Sequence, residues 1–130
     1  MKTDLHLSEN LEDYLETILE LQETKSVARS KDIADKLDVK RGSVTGMLKK
    51  LSEKELINYE PYGYVTLTPL GKKIAVEIER KHSFFKNFFH QILGLDEETA
   101  EETACHMEHV MSKQTFNKFK AFIEKASEAL

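Results

Sequence analysis

Apolar residues spaced mostly three and four apart (Leu11, Leu15, Ile18, Leu19, Leu21) predict a helix over 7–23, with Ser8 as its N-cap. Thr24 to Arg29 breaks the pattern. Ser30 then caps a short helix over 31–37, with Ile33, Ala34 and Leu37 facing inward. After a turn at 38–41, Gly42 or Ser43 opens a further helix to about residue 54, whose buried stripe is Val44, Met47, Leu48 and Leu51. Two short helices joined by a tight turn, the second of them basic, form a helix-turn-helix pattern. Next, Ile57-Asn58-Tyr59-Glu60 and Tyr64-Val65-Thr66-Leu67-Thr68 alternate like strands around Pro61-Tyr62-Gly63, which predicts a β-hairpin and therefore a wing. Pro69 starts a long helix to about Leu93, ended by Gly94 as the C′ residue. Asp96 caps another helix to about Met111, and Ser112 caps a last one carrying Phe116, Phe119, Phe122 and Ile123. The expected fold is mainly α: a winged helix-turn-helix domain with a two-stranded β wing over 1–71, then a helical domain over 72–130.

Composition narrows the class. With 130 residues, 40% hydrophobic and 32% charged, the chain has an ordinary globular make-up. No apolar run approaches the roughly 18–20 residues of a membrane span, so no membrane partner is expected. Met1 to Asp4 lacks the apolar stretch of a secretory signal. One cysteine, Cys105, cannot form an intramolecular disulfide and suits a reducing cytosol, so a cytoplasmic protein is expected.

The net charge of −4 hides a polarised chain. Residues 25–54 carry nine Lys or Arg against four acids, whereas residues 96–109 carry six acids and no Lys or Arg. Such a division suits one job with an anion and another with a cation, or simply two solvated helix faces.

The cation chemistry centres on Cys105-His106-Met107-Glu108-His109. On a helix, Cys105, Glu108 and His109 share one face and can converge on one point. Thiolate, carboxylate and imidazole are the ligand types of transition-metal sites; the bland alternative is an apolar cysteine beside a surface Glu–His pair. Asp13 and Glu16 stand three apart on an otherwise apolar helix, and His82 precedes Phe84-Phe85, where a packed core histidine is the usual reading. A nucleophilic role for Cys105 would need a base, such as His109 or His106, and an oxyanion site. No Gly-rich oxyanion segment, GxGxxG, Walker A, HExxH or CxxC is present, so catalysis is not expected.

Taken together, these residues resemble the diphtheria-toxin-repressor family of metal-dependent transcriptional repressors, the iron-dependent and manganese-transport regulators. The resemblance spans nearly the whole chain: Glu12-Asp13-Tyr14-Leu15-Glu16-Thr17-Ile18, Asp32-Ile33-Ala34-Asp35-Lys36-Leu37, Ser43-Val44-Thr45, Leu67-Thr68-Pro69-Leu70-Gly71 and Arg80-Lys81-His82. Its most specific part is Ala104 to Ser112, which is similar to the family's A-C-x-x-E-H-V-M-S segment. The resemblance implies that Cys105, Glu108 and His109 bind a regulatory metal with Asp13 and Glu16, and that His82 matches a ligand of a second metal. Asp13 and Glu16 are of the manganese type and Cys105 of the iron type, so the implied site is a hybrid. Lys86 stands where the iron type has an ancillary glutamate, and Glu101 where it has a histidine. The chain ends at Leu130, without the SH3-like third domain of longer members.

The function so implied is a homodimeric repressor that binds double-stranded operator DNA when loaded with Fe²⁺ or Mn²⁺. A metal held by both the first helix and the dimerisation helix would fix the separation of two recognition helices for half-sites roughly 34 Å apart. Fe²⁺ is weakly favoured by the thiolate, with Co²⁺, Ni²⁺ or Zn²⁺ able to bind in vitro. The expected DNA-binding residues are Arg29, Ser30, Lys40, Arg41, Ser43, Thr45, Gly46, Lys49 and Lys50, with Gly46 replacing a longer polar side chain of some members. The expected dimer interface is Phe84, Phe85, Phe88, Phe89, Phe116 and Phe119. A metal-independent winged-helix regulator and a metal buffer are the competing readings.

Overall fold

The computed structural model describes residues 7–60 and 63–128. Among the described residues, six α-helices and a two-stranded antiparallel sheet follow in the order α1 (Glu9–Lys25), α2 (Ser30–Leu37), α3 (Arg41–Glu53), β1 (Ile57–Tyr59), β2 (Val65–Leu67), α4 (Pro69–Asn87), α5 (Glu97–Val110) and α6 (Lys113–Glu128). They divide into two compact units, the first ending at Glu77 and the second beginning at Ile78, so the division falls inside α4. The mainly α fold with a β wing is the one the hydrophobic pattern predicts.

In the first unit α1 begins where Ser8 accepts a hydrogen bond from Leu11 N–H (3.2 Å), satisfying one of the donors that a helix start leaves open. Its stripe of Leu11, Leu15, Ile18 and Leu19 meets Ile33 of α2 and Val44, Leu48 and Leu51 of α3 in one core. Burial of each such side chain stabilises by about 1.5–3 kcal/mol. Met47 is only partly buried at its edge.

The hairpin pairs Ile57 with Leu67 and Tyr59 with Val65, and Ala28 adds a bridge to Val65 (2.8 and 3.0 Å). Gln22 of α1 completes the edge: its Oε1 accepts from Leu67 N–H at 2.6 Å. The Pro61-Tyr62 part of the expected turn lies outside the described residues. Gly71, in the first turns of α4, lies against the Leu56 carbonyl, where an added Cβ would come within 1.9 Å of the oxygen. That oxygen also accepts from Thr68 N–H (3.1 Å), so only glycine allows the approach.

Three local expectations are corrected. Ser30 is the first residue of α2 and not its cap; extended Arg29 holds the cap position and makes no side-chain cap bond. Helix α3 starts at Arg41, before Gly42 and Ser43, with Ser43 N–H bonded to Lys40 C=O. The long helix does not stay α to Leu93: after Asn87 it widens into a π-helical turn over Phe88–Ile92, closed by Leu93 N–H to Phe88 C=O (3.0 Å). Gly94 then takes φ +78°, and Leu95 N–H returns to Phe89 C=O (2.9 Å).

The second unit is built around rings. Phe85 is fully buried among Phe84, Phe116, Phe119 and Phe89, at centroid distances of 5.6–6.1 Å. Asp96 caps α5 by accepting from Thr99 N–H, which with the other bonds there holds its carboxyl below the usual range. Ser112 starts α6 in the same way, from Thr115 N–H (3.1 Å).

Candidate metal centre and nucleic-acid face

His82 leaves α4 towards α5, where Glu101, Cys105 and Glu108 recur at spacings of four and three on one face. The ligand atoms of His82, Cys105 and Glu108 all lie within 4.8 Å of one another. Glu108 is fully buried, a costly place for a carboxylate unless it is paired. Its Oε1 takes a short hydrogen bond from His82 Nδ1, but its Oε2 has no hydrogen-bond partner and lies 3.5 Å from His109 Nε2. On the other side of the ring, His82 Nε2 is 3.0 and 2.9 Å from the two oxygens of Glu101. Cys105 is exposed.

The electrostatics follow from these contacts. Hydrogen bonding to Cys105 and then Glu108, reinforced by Glu101, pushes the His82 imidazole up from 6.5 to about 11 against the opposing effect of burial. Burial alone would raise Glu101, but the bonds and charges of His82 and Lys86 outweigh it and hold the carboxyl low. Without a metal, then, an imidazolium is the cation that neutralises Glu108.

The residues fit a divalent transition ion. They offer a soft thiolate, a borderline imidazole and a hard carboxylate. One buried carboxylate oxygen lacks the partner that an ion would supply. Asp13 and Glu16 are half-buried one turn apart on α1, in the first unit.

Four basic residues of the first unit, Arg29, Lys31, Arg41 and Lys49, come together around one cleft. Val44, Leu48 and Leu51 anchor α3 in the core, which turns Arg41, Ser43, Thr45, Gly46, Lys49 and Lys50 to solvent. Arg29, Ser30, Arg41, Thr45 and Lys49 line an open cleft of about 600 Å³, together with Lys31, Tyr59 and Gly63. Lys40, Ser43, Gly46 and Lys50 are exposed outside that lining. Arg29 lies 5.0 Å from the Tyr64 ring centre and donates to its hydroxyl (3.3 Å), tying the start of α2 to the wing. Lys31 and Tyr59 at this cleft, and Tyr64 beside Arg29, are neighbours that the sequence reading did not single out.

Of the six phenylalanines expected at an interface, Phe85 and Phe116 are buried inside the second unit, while Phe84, Phe88, Phe89 and Phe119 are half-buried around them. The large apolar side chains exposed on this unit are Ile92, Leu93, Val110 and Phe122.

A winged helix-turn-helix followed by a helical unit whose imidazole, thiol and carboxylate groups could hold a metal defines a two-part class of DNA-binding fold. Residues 6–65 match the family model described as "Iron dependent repressor, N-terminal DNA binding domain", and residues 68–129 match "Iron dependent repressor, metal binding and dimerisation domain". The chain belongs to this iron-dependent repressor family, which agrees with the resemblance seen in its sequence. An uncharacterised HTH-type transcriptional regulator of Methanocaldococcus jannaschii is 42% identical over 120 residues, covering 92% of this chain and 96% of that protein. The HTH-type transcriptional regulator MntR of Bacillus pumilus is 41% identical over 103 residues, covering 79% and 71%. Among solved structures, that of the manganese regulator SloR superposes with a TM-score of 0.78 at 30% identity, covering 91% of this chain and 55% of that one. The chain thus spans about half the length of that solved chain. No helix among the described residues is long and apolar enough to cross a membrane.

Proposed function

We propose that this chain is a metal-activated transcriptional repressor. Loaded with Fe²⁺ or Mn²⁺, it binds operator DNA as a homodimer and controls metal-uptake genes; stripped of metal, it lets go. The observation that carries this reading is the buried Glu108, with one oxygen left without a hydrogen bond beside His82, Cys105 and His109. An ion bound there would take the place of the His82 proton and satisfy that oxygen. Cys105, Glu108, His109 and His82 are the ligands proposed in the second unit. Asp13 and Glu16 keep the ligand role that the sequence resemblance gives them.

Arg29, Lys40, Arg41, Lys49 and Lys50 are proposed to contact phosphates, with Ser30, Ser43, Thr45 and Gly46 facing the groove. The two-fold contact is proposed on the Phe-rich surface of the second unit, its half-buried rings extended by Phe122. One structural neighbour is a manganese regulator and the family is named for iron, which supports both ions as candidates. The thiolate of Cys105 favours Fe²⁺ over Mn²⁺, and affinity in most sites rises in the same order.

The test is anaerobic binding to candidate operator DNA, followed by fluorescence anisotropy against free Fe²⁺ and free Mn²⁺. Activation by either ion, at lower free Fe²⁺ than Mn²⁺, supports the proposal. Equal DNA affinity with chelator would make the protein a metal-independent regulator, and metal binding without salt-dependent DNA binding would make it a metal buffer.

A further inference from the structure

His82 is held from both sides. Its Nδ1 faces Glu108 Oε1 and the metal-ligand cluster, whereas its Nε2 faces Glu101 at 2.9–3.0 Å. The two ring nitrogens point in opposite directions, so an ion bound at Nδ1 lies across the ring from Glu101. Glu101 is in turn fixed by Lys86, whose Nζ lies 3.3 Å from Oε1 and 3.7 Å from the Glu97 carboxylate. Lys86 follows His82 by one helical turn on α4, and Glu101 precedes Cys105 by one turn on α5, so this layer of contacts stacks one turn away from the ligands.

We infer that Glu101 is a positioning residue for the metal centre and not one of its ligands. Accepting from Nε2–H, it fixes the imidazole tautomer that presents the Nδ1 lone pair, orients the ring and strengthens nitrogen as a donor. Lys86 holds the carboxylate in place for this work. The inference rests on the metal reading of His82, Cys105 and Glu108 proposed above. A carboxylate in this position typically contributes 10–100-fold to metal affinity.

The test uses the full chain, anaerobically, titrated with Co²⁺ alone and followed by its visible ligand-field bands and its near-ultraviolet thiolate charge-transfer band. Glu101→Ala should bind Co²⁺ 10–100-fold more weakly, yet reach the parental spectrum at saturation with one ion per chain. Glu101→Gln, whose amide oxygen still accepts from Nε2–H, should recover most of the loss. Thermal melting with chelator verifies that both variants fold. Parental affinity in Glu101→Ala would overturn the inference. So would a changed saturated spectrum in both variants, or a Glu101→Gln as weak as the alanine variant, since either behaviour marks a ligand. Failure of the parent to show a thiolate–Co²⁺ band, by contrast, would remove the metal centre itself, and the positioning role with it.

Discussion

Glu108→Ala should abolish metal-dependent stabilisation while leaving the metal-free fold nearly as stable as the parent. Two terms oppose each other in the metal-free protein. Removing the side chain deletes the bond from His82 Nδ1, and a deprived buried donor costs about 1–3 kcal/mol. It also removes the orphaned Oε2, which returns about the same amount. The larger penalty of a stranded buried charge is avoided, because the His82 ring still pairs with Glu101 through Nε2 once Glu108 is gone. The net change is therefore within about 2 kcal/mol.

Metal changes the comparison. Free ion at about 100 times Kd stabilises the folded parent by about 2.7 kcal/mol, or roughly 10 °C in Tm at about 3–5 °C per kcal/mol for a chain of this size. Differential scanning calorimetry with chelator and with graded Mn²⁺ or Co²⁺ measures both quantities. A folded Glu108→Ala protein whose Tm still climbs by the parental amount would refute the assignment of Glu108 as a ligand.

Two further outcomes are expected. The folded-state pKa of His82, about 11, lies above its unfolded 6.5, so its contribution to metal-free stability is complete below pH 6.5 and is lost as pH rises towards 11; with chelator present, Tm should fall with pH more steeply in the parent than in His82→Gln, and parallel slopes would contradict this. Arg41→Ala should weaken operator and non-operator DNA alike and lower the salt slope by about one, as the loss of one phosphate contact requires; a loss confined to the operator, in salt-titrated anisotropy, would show that Arg41 reads a base.

How much of this was legible in the sequence depends on the range of the interaction. Ser8, Asp96 and Ser112 declare their helix starts, because a capping side chain bonds a backbone N–H three residues away. Ser30 has the same chemistry but does not cap; the extended Arg29 is tied to Tyr64, 35 residues on, which no local pattern encodes. The π turn at Phe88–Ile92 was illegible for another reason. The apolar spacing of Phe84, Phe85, Phe88 and Phe89 satisfies an α-helix equally well, and the extra residue shows in hydrogen bonding such as that from Leu93 N–H to Phe88 C=O. At the centre, the spacing of Cys105 and Glu108 on one helix face is local and could be read. The bonds of His82 to Glu101 and Glu108 span 19 and 26 residues and exist only once α4 packs on α5.

The metal-free centre also constrains how a metal could act. Burying Glu108 is tolerable because an imidazolium stands beside it, and a divalent ion would take over that neutralising role as His82 releases its proton. A metal of this kind can alter DNA affinity only through its differential affinity for the DNA-binding and non-binding states. The coupling is reciprocal: if metal tightens DNA binding by some factor, DNA must tighten metal binding by the same factor. A typical coupling of about 1–3 kcal/mol corresponds to roughly 5–150-fold. Because an ion at His82 would compete with its proton, a lower pH should weaken metal binding, and with it any DNA affinity that depends on the metal.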